Sequence, residues 1–297
     1  MSKARELAEL IGNAGGTSEQ VLSGRRNLII NGDFRVRQRG STQPDRWFNM
    51  VGMSVDGSVT SHLKFTSTSA DPYQWYKVED VGMSLASKVA TWSFWAKSSD
   101  GGNPIQYFAY TGSSTAGQIF PEPTGETDSA GFSRFEFQIT LDSSTYTDRH
   151  EFRFEYRAVS GITIEMKEVQ LELGSVATPF EHRSYGEELA LCMRYYQQSS
   201  DNATNTSWYS DNGGTLLVDM EDVAMSGMRF PVIMRTTPTF TFYVGTETNA
   251  IKSYGGNATR YGTSVYIANH GLSGIRHDGG YQLGRPYGCN WTADAEL

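Results

Sequence analysis

Residues 168–196 read EVQLELGSVATPFEHRSYGEELALCMRYY and hold a strand, a turn and a helix in succession. Val169, Leu171 and Leu173 alternate with polar residues, which is the period-two pattern of a half-buried strand. The Gly-Ser pair that follows breaks this pattern, and Pro179 stiffens the exit. The stretch therefore predicts that a β region ends here and that a helix begins.

The helix is predicted from its start signal. Ser184 and Glu187 have the spacing of a capping box, in which each side chain satisfies the other residue's backbone amide. A helix from about Tyr185 to Gln198 would carry two apolar stripes, so we expect it to be buried on more than one side. The stripe that we expect to meet symmetry mates or an adjacent domain contains Leu189, Cys192, Met193 and Tyr196.

Residues 27–182 carry short strand-like runs separated by turns rich in Gly, Asn and Pro. The runs are residues 62–66, 88–97, 106–110, 132–141, 150–158 and 162–173. With turn signals and no long helical period, they predict an antiparallel β-sandwich. We expect its first and last strands to pair, because residues 31–34 and 168–173 bracket the region.

Two smaller regions flank these elements. Residues 2–12 carry an apolar stripe that includes Leu7 and Ile11, and a helix this short needs a partner to be stable. We expect it to serve oligomerisation or attachment, with a loosely packed terminus as the alternative reading. Residues 199–297 contain alternating runs such as TFTFYV at 239–244 and predict a smaller β domain with long Gly-rich loops.

Composition excludes several classes of protein. The formal net charge of −8 disfavours a nucleic-acid binder, which would need a basic footprint. No apolar run reaches the roughly 20 residues that span a bilayer, so we expect no membrane insertion. The two cysteines permit at most one disulfide bond, and a free buried Cys192 is the simpler expectation.

Enzymatic signatures are missing from the sequence. There is no G-x-S-x-G, no P-loop and no dinucleotide fingerprint, and the five histidines show no zinc-ligand spacing. A tailspike depolymerase would place two carboxylates on a long β-helix, for which the chain is short and lacks a regular repeat. We therefore expect that the protein is not an enzyme.

Several segments carry a resemblance to one family. They are NLIINGDF at 27–34, QRG at 38–40, DRW at 45–47, SFWAK at 93–97, MRTTP at 234–238 and WTADAEL at 291–297. Together with the 168–196 stretch, they resemble tail fibre and receptor-binding proteins of tailed bacteriophages. The NGDF opening is shared with carbohydrate-binding modules of the β-sandwich kind.

This resemblance implies a jelly-roll topology, so the predicted fold is mainly β. It consists of a short N-terminal helix, a jelly-roll β-sandwich, a linking helix and a smaller C-terminal β-sandwich. The predicted boundaries are 1–26 for the N-terminal helix and linker, 27–182 for the jelly-roll, 183–198 for the linking helix and 199–297 for the C-terminal domain.

The resemblance also implies partners. It implies a homotrimer in the virion tail, assembled in the cytoplasm of the bacterial host, that contacts other tail proteins through its N-terminus. Related modules often hold structural calcium near the NGDF segment and the final strand, which makes Asp33 and Glu168 the candidate ligands here. No acidic D-x-D-x-D loop supports such a site, and a turn cap or an ion pair with arginine is the alternative role of Asp33.

Aromatic side chains in polar loops are the best lead to a ligand, because sugars stack on flat apolar rings. The receptor-binding candidates are Trp208, Tyr209, Tyr254 and Tyr261. Packing against neighbouring protomers is the alternative role of these rings. Arg35, Arg37 and Arg39 also alternate, as on one face of a strand, and we expect them to form ion pairs with Asp45 or Glu181 or across subunits. The alternative is contact with phosphate groups of lipopolysaccharide or with an acidic neighbour in the virion.

The sequence thus predicts a non-enzymatic phage tail fibre that attaches to a host surface glycan or outer-membrane receptor through its C-terminal domain. Two alternatives remain. One is a purely structural tail component or adaptor that carries a separate tip protein. The other is a carbohydrate-binding module of an enzyme.

Overall fold

The structure is a computed structural model that describes residues 26–68, 71–79, 85, 87–111, 118–141, 149–199, 228–244, 247–253, 259–277 and 287–296. The chain divides into two compact units. Unit 1 comprises Met1–Arg37, Ser41–Tyr185 and Leu297, and unit 2 comprises Gln38–Gly40 and Gly186–Glu296. The predicted helix at 2–12, with Leu7 and Ile11, lies outside the described residues.

Unit 1 is a β-sandwich of two antiparallel sheets. Its strands are β1 (Trp47–Val51), β2 (Met53–Val55), β3 (Leu63–Ser67), β4 (Tyr73–Glu79), β5 (Lys88–Ser98), β6 (Ile105–Thr111), β7 (Gln118–Ile119), β8 (Pro123–Thr127), β9 (Ser133–Leu141), β10 (Arg149–Tyr156) and β11 (Thr163–Leu173). Sheet A has the order β1-β4-β10-β6-β7, and sheet B has the order β2-β3-β11-β5-β9-β8. The fold is therefore mainly β, as the sequence predicts.

Aromatic side chains from both sheets fill the space between them. The Trp92 ring of sheet B lies 5.0 Å from the Phe152 ring and 5.3 Å from the Phe154 ring of sheet A, centroid to centroid. All three side chains are fully buried. Alternation along β5 and β10 sends these rings inward and polar neighbours outward, so the polar side chains stand on the outer faces.

A tight corner at Asn31-Gly32 joins the first segment of unit 1 to its last strand. Asn31 has a positive φ of 59°, and a Cβ at Gly32 would lie 2.1 Å from the Val169 carbonyl oxygen, so only glycine fits there. The Val169 amide donates to the Gly32 carbonyl at 2.9 Å. A similar bond joins the Leu28 amide to the Leu171 carbonyl, so the first and last segments of the sandwich do pair.

Unit 2 begins with a short helix, α1 (Tyr185–Met193), most of which belongs to it. Its strands are β12 (Tyr196–Gln198), β13 (Met228–Arg229), β14 (Thr239–Val244), β15 (Glu247–Thr248), β16 (Ala250–Ser253), β17 (Thr259–Ala268), β18 (Gly271–His277), β19 (Tyr287–Gly288) and β20 (Asn290–Asp294). They form one sheet of order β12-β20-β14-β15 and another of order β13-β18-β17-β16-β19. Phe242, Trp291 and Met234 are buried in its core.

The helix is shorter than the sequence predicts. It ends at Met193 instead of Gln198, and Tyr196 pairs with Asp294 as the first residue of β12. Backbone pairing with a strand from the far end of the chain overrides the local helical pattern. No described helix has the length and apolar character to cross a bilayer.

The three alternating arginines do not share a strand, which corrects that prediction. Arg35 pairs with Asp33, and Arg37 donates to backbone carbonyls, including that of His62 at 3.2 Å. Arg39 belongs to the Gln38–Gly40 segment of unit 2, where it lies 3.1 Å from both Asp294 and Glu296 and 4.0 Å over the Tyr196 ring. Residues 34–37 have no strand pairing, so alternation did not put the three charges on one face.

Candidate functional site

The outer side of sheet A, here called face A, carries a group of half-buried aromatic rings. On β4, Gln74, Tyr76 and Val78 point into the core, whereas Tyr73 and Trp75 stand on the outside with partial exposure. Phe48 of β1 is paired in register with Trp75, so its half-buried ring stands beside the indole on the same face. Three rings on two neighbouring strands thus share one surface.

A charged pair lies at the centre of face A, on β10. Arg153 is in register with Trp75 on one side and with Ala109 of β6 on the other. Glu155 is in register with Tyr73 and with Tyr107. Ala109, next to Arg153 on β6, is the smallest side chain of this row.

Arg153 connects these groups through its guanidinium. Its Cζ lies 4.0 Å from the centroid of the Tyr73 ring and 5.8 Å from that of Trp75. Its Nη2 lies 2.6 Å from Oε2 of Glu155, and the carboxylate also interacts with the Tyr107 hydroxyl. Arg153 therefore holds the carboxylate and covers one face of Tyr73, while the indole of Trp75 is farther from it.

Burial shapes the titration of this centre. The Glu155 side chain is only 2% exposed, and desolvation raises its pKa above the ordinary value even though Arg153 and Tyr107 favour the ionised form. Desolvation also raises the pKa of Tyr107, and the neighbouring Glu155 charge adds to this effect. At neutral pH the tyrosine therefore stays protonated and offers a hydroxyl group.

The charges on face A balance one another. The charged residues of β4 and β10 on this face are Lys77, Glu79, Arg149, Glu151, Arg153 and Glu155, three cations and three anions. Lys77 Nζ lies 3.5 Å and Arg149 Nε lies 2.9 Å from Oε1 of Glu151. These strands thus present hydrogen-bonding groups without a net charge.

The outer side of sheet B, here called face B, has a tryptophan in a different setting. Trp95 of β5 is partly exposed and lies between Arg134 and Lys167, whose charged groups are 5.5 and 5.9 Å from its ring centroid. The next ring, Phe132, is only 3% exposed beneath the ammonium groups of Lys97 and Lys167. Face B therefore has one accessible indole and a ring that its own chain covers.

The predicted receptor-binding residues cannot be compared with this site. Trp208, Tyr209 and Tyr254 lie outside the described residues, and Tyr261 lies in β17 with its side chain undescribed. They remain predictions. Of the predicted interface stripe, Cys192 and Tyr196 are buried within the single chain, while Leu189 and Met193 are half-buried.

Face A is not predicted from the sequence, because the predicted strand-like runs do not include residues 73–79. The Asp71-Pro72 pair before this segment is typical of a turn, but YQWYKVE alternates like a strand and forms β4. The same alternation is present in RHEFRFEY of β10, where Arg149, Glu151, Arg153 and Glu155 alternate with His150 and apolar residues. That alternation was sufficient to predict an outer face on each strand.

The calcium candidates do not form a suitable site. The Asp33 carboxylate is paired with the Arg35 guanidinium, which already supplies its counter-charge. Glu168 occupies a β-bulge with a positive φ of 53°. In the part of the chain that the structure describes, no three His, Cys, Asp or Glu side chains converge as metal ligands. Calcium takes six to eight oxygen ligands, and Arg35 would repel it here.

Comparisons with known proteins show no family. No protein-family model matches the chain, and neither does any curated protein. Among solved structures, part of the chain is similar to the enzymatically active domain of tailspike protein 4 from Bacteriophage CBA120, with 14% identity over 50% of this chain and a TM-score of 0.31. The chain spans only 21% of the length of that protein.

Two carbohydrate-binding modules are similar over a comparable share of the chain. One is a family 16 module, with 16% identity, a TM-score of 0.33 and coverage of 49% of this chain and 99% of the module. The other is the CBM22-1 xylan-binding domain of Paenibacillus barcinonensis Xyn10C, with 13% identity, a TM-score of 0.32 and coverage of 47% and 92%. With TM-scores this low, these are likenesses of part of the chain and do not assign it to a family.

Proposed function

We propose that the protein is a non-enzymatic glycan-binding component of a phage tail fibre and that face A of unit 1 is a glycan-binding surface. The observation that carries the glycan-binding part is the group of three half-buried rings, Phe48, Tyr73 and Trp75, beside a central Arg153–Glu155 pair. Flat rings supply apolar stacking surface for sugar C–H groups. Arg153, whose side chain is 28% exposed, and the partly exposed Tyr107 supply polar groups for sugar hydroxyls, while the buried Glu155 holds both of them in place.

The charge balance of face A favours a neutral glycan. Arg153 and Lys77 are both engaged with carboxylates, so an acidic polysaccharide would have to compete with Glu155 and Glu151 for them. It would also approach a chain with a net charge of −8. A neutral sugar can bind through hydroxyl groups without breaking an ion pair, and so avoids that cost.

A glycan array with the full-length chain tests this part of the proposal. We expect signals on neutral hexose oligosaccharides and weak or no signals on sialylated, uronic-acid or phosphorylated ones. Arg153→Leu, which removes the cation and leaves a partly exposed side chain, should weaken the neutral signals. Preferential binding of acidic glycans by the wild type would contradict the proposed ligand class.

The tail-fibre part of the proposal is supported by the sequence motifs at 27–47, 93–97, 168–196, 234–238 and 291–297, which resemble those of phage tail fibre proteins. In this assignment the protein is a homotrimer in the virion, and symmetry multiplies a weak glycan site into useful avidity. Mass measurement in solution tests the trimer. A monomer would remove the avidity argument.

Attachment through residues 199–297 is the second candidate, since the sequence predicts polar loops there that carry Trp208, Tyr209 and Tyr254. The two candidates make different predictions for a chain that lacks residues 199–297. If that chain still adsorbs to host cells and Trp75→Ala abolishes the adsorption, face A is the receptor site. If adsorption is lost although glycan binding by unit 1 persists, the C-terminal domain is the tip.

A further inference from the structure

Arg183 is a buried cation at the place where the sandwich of unit 1 closes. Its side chain is 8% exposed. Nη1 donates to the Ile29 carbonyl at 3.1 Å, and Nη2 donates to the Asn27 carbonyl at 2.6 Å. Nη2 also lies 3.0 Å from Oε2 of Glu181. One guanidinium thus joins two backbone oxygens of the first segment to a carboxylate that follows the last strand.

The groups around Arg183 form a connected set. Glu181 accepts the Asn27 amide at 2.9 Å and the Arg26 amide at 3.3 Å, so its carboxylate holds the same segment from its amide side. The Arg183 carbonyl accepts Nη2 of Arg35 at 2.9 Å, and Arg35 in turn pairs with Asp33. Two ion pairs, Glu181–Arg183 and Asp33–Arg35, are therefore joined through the Arg183 carbonyl along the seam between residues 26–35 and residues 181–183.

Backbone carbonyls and a carboxylate are also the ligands that a calcium ion uses. We propose that the Arg183 guanidinium does here what a bound metal ion would do: it fastens the first segment to the segment that follows β11, and unit 1 therefore folds without calcium. A guanidinium is suited to this role because its planar fork reaches several oxygens at fixed angles and stays charged at any physiological pH. A divalent ion placed beside Arg183 and Arg35 would meet two positive charges.

The wild-type chain gives the first test. We expect the thermal unfolding of the full-length protein to be unchanged, within about 1 °C, between excess EDTA and millimolar CaCl2, because a ligand stabilises only a state to which it binds. Calorimetric titration with CaCl2 should give no saturable heat. A saturable calcium isotherm together with a calcium-dependent rise in Tm would overturn the proposal.

The second test is Arg183→Met, which keeps the apolar stem and removes the charge. Because the Asn27 and Ile29 carbonyls and Glu181 then lose their shared partner, we expect Tm to fall by about 10 °C. Arg157→Met is the matched control: Arg157 also pairs with a carboxylate, Asp100 at 2.7 Å, but in an exposed place. Its Tm should change by no more than about 2 °C.

Arg183→Lys and Glu181→Gln keep the proposal testable even where Arg183→Met folds poorly. Arg183→Lys keeps the charge but lacks the fork, so we expect it to recover only part of the lost Tm. Glu181→Gln should lower Tm in the same direction as Arg183→Met, and the double variant should fall by less than the sum, since the two residues act on one seam. Equal Tm values for wild type and Arg183→Met would show that the guanidinium fastens nothing.

Discussion

On face A the indole of Trp75 has ring neighbours on its own and the adjacent strand and one cation, Arg153, at 5.8 Å, whereas on face B the half-buried indole of Trp95 lies between two cations, Arg134 and Lys167. The other ring of face B, Phe132, is held under Lys97 and Lys167, and Lys97 also donates to the Ala130 carbonyl at 3.2 Å. The exposure of a single tryptophan therefore does not separate the two faces. What separates them is that Phe48, Tyr73 and Trp75 of face A stay partly exposed although cations lie near them, whereas Phe132, the second ring of face B, is only 3% exposed.

The largest expected effect on stability is that of truncating Phe154, because this ring is fully buried in the core between the two sheets. Its ring packs 5.3 Å from Trp92 and 5.1 Å from Phe108 in the core. We expect Phe154→Ala to lower the free energy of unfolding by about 3–5 kcal/mol and to weaken glycan binding only through unfolding. Denaturant unfolding followed by tryptophan fluorescence measures this. A variant with wild-type stability would show that the sandwich core does not depend on this ring.

Removal of the rings of face A comes next. We expect Tyr73→Ala with Trp75→Ala to weaken binding to the best neutral oligosaccharide by about 30-fold or more, which corresponds to about 2 kcal/mol for a truncated hot spot. Trp95→Ala is the matched control on face B, and its Kd should stay within about twofold of the wild type. Calorimetry with both variants, after their unfolding midpoints have been checked, makes the comparison. Equal losses on the two faces would abolish the distinction between them.

Phe132→Ala should affect the stability of the protein and leave glycan binding unchanged, which is the opposite of what we expect for the rings of face A. Because this ring is buried under two lysines, we expect a loss of about 2 kcal/mol in the free energy of unfolding and an unchanged Kd for the glycan. Phe48→Ala on face A should do the opposite, with a smaller loss of stability and a weaker affinity. The pair of variants separates a ring that supports the fold from a ring that is available to a ligand.

The smallest expected effect is on the pH dependence of stability, to which a carboxylate of each face should contribute in opposite directions. Burial raises the pKa of Glu155 above its ordinary 4.5, so its contribution to stability is full below that value and is lost as pH rises through the raised pKa. On face B, burial alone would raise the pKa of Asp128, but Lys167 and the amides of Phe132 and Ala130 lower it below its ordinary 3.8. Its contribution is present above that value and is lost as pH falls through the lowered pKa.

Glu155→Gln and Asp128→Asn test this opposition. Tm is followed between about pH 3 and about pH 8. Glu155→Gln should remove the decline in Tm that the wild type shows as pH rises above the ordinary carboxyl pKa. Asp128→Asn should remove the decline in Tm that the wild type shows at the acid end. Measuring Tm at each pH for both variants and the wild type is sufficient. The same pH response in both variants would show that the two carboxylates do not differ in environment.

Elements of the fold that depend on a local sequence pattern could be predicted, whereas those that depend on pairing with distant segments could not. Strands β5, β9, β10 and β11 follow from alternation, because one side of each is buried against a single core. Strand β4 alternates equally well, but the proline before it is typical of a turn, and the predicted runs leave this segment out. The end of α1 could not be predicted, because it depends on the pairing of Tyr196 with Asp294, which lies far away in the chain.

The candidate site was harder to predict than the strands. Tyr73, Arg153 and Tyr107 come together only because β10 lies between β4 and β6, an order that does not follow the chain. The alternation within a strand predicts which of its residues point outward, but no local pattern predicts which strands are neighbours in the sheet. The predicted receptor-binding residues, Trp208, Tyr209, Tyr254 and Tyr261, were chosen only because they are aromatic residues in polar segments. Likewise, Asp33 was a sensible calcium candidate until its pairing with Arg35 was known.

Radical footprinting read out by mass spectrometry tests the central claim most directly. Full-length protein would be oxidised with and without a saturating amount of the neutral oligosaccharide that gives the strongest array signal. We expect protection of Trp75, Tyr73 and Phe48 and an unchanged rate at Trp95, because a bound sugar covers only face A. Protection of Trp95, or of aromatic residues within 199–297 while Trp75 stays reactive, would contradict the assignment of the glycan site to face A.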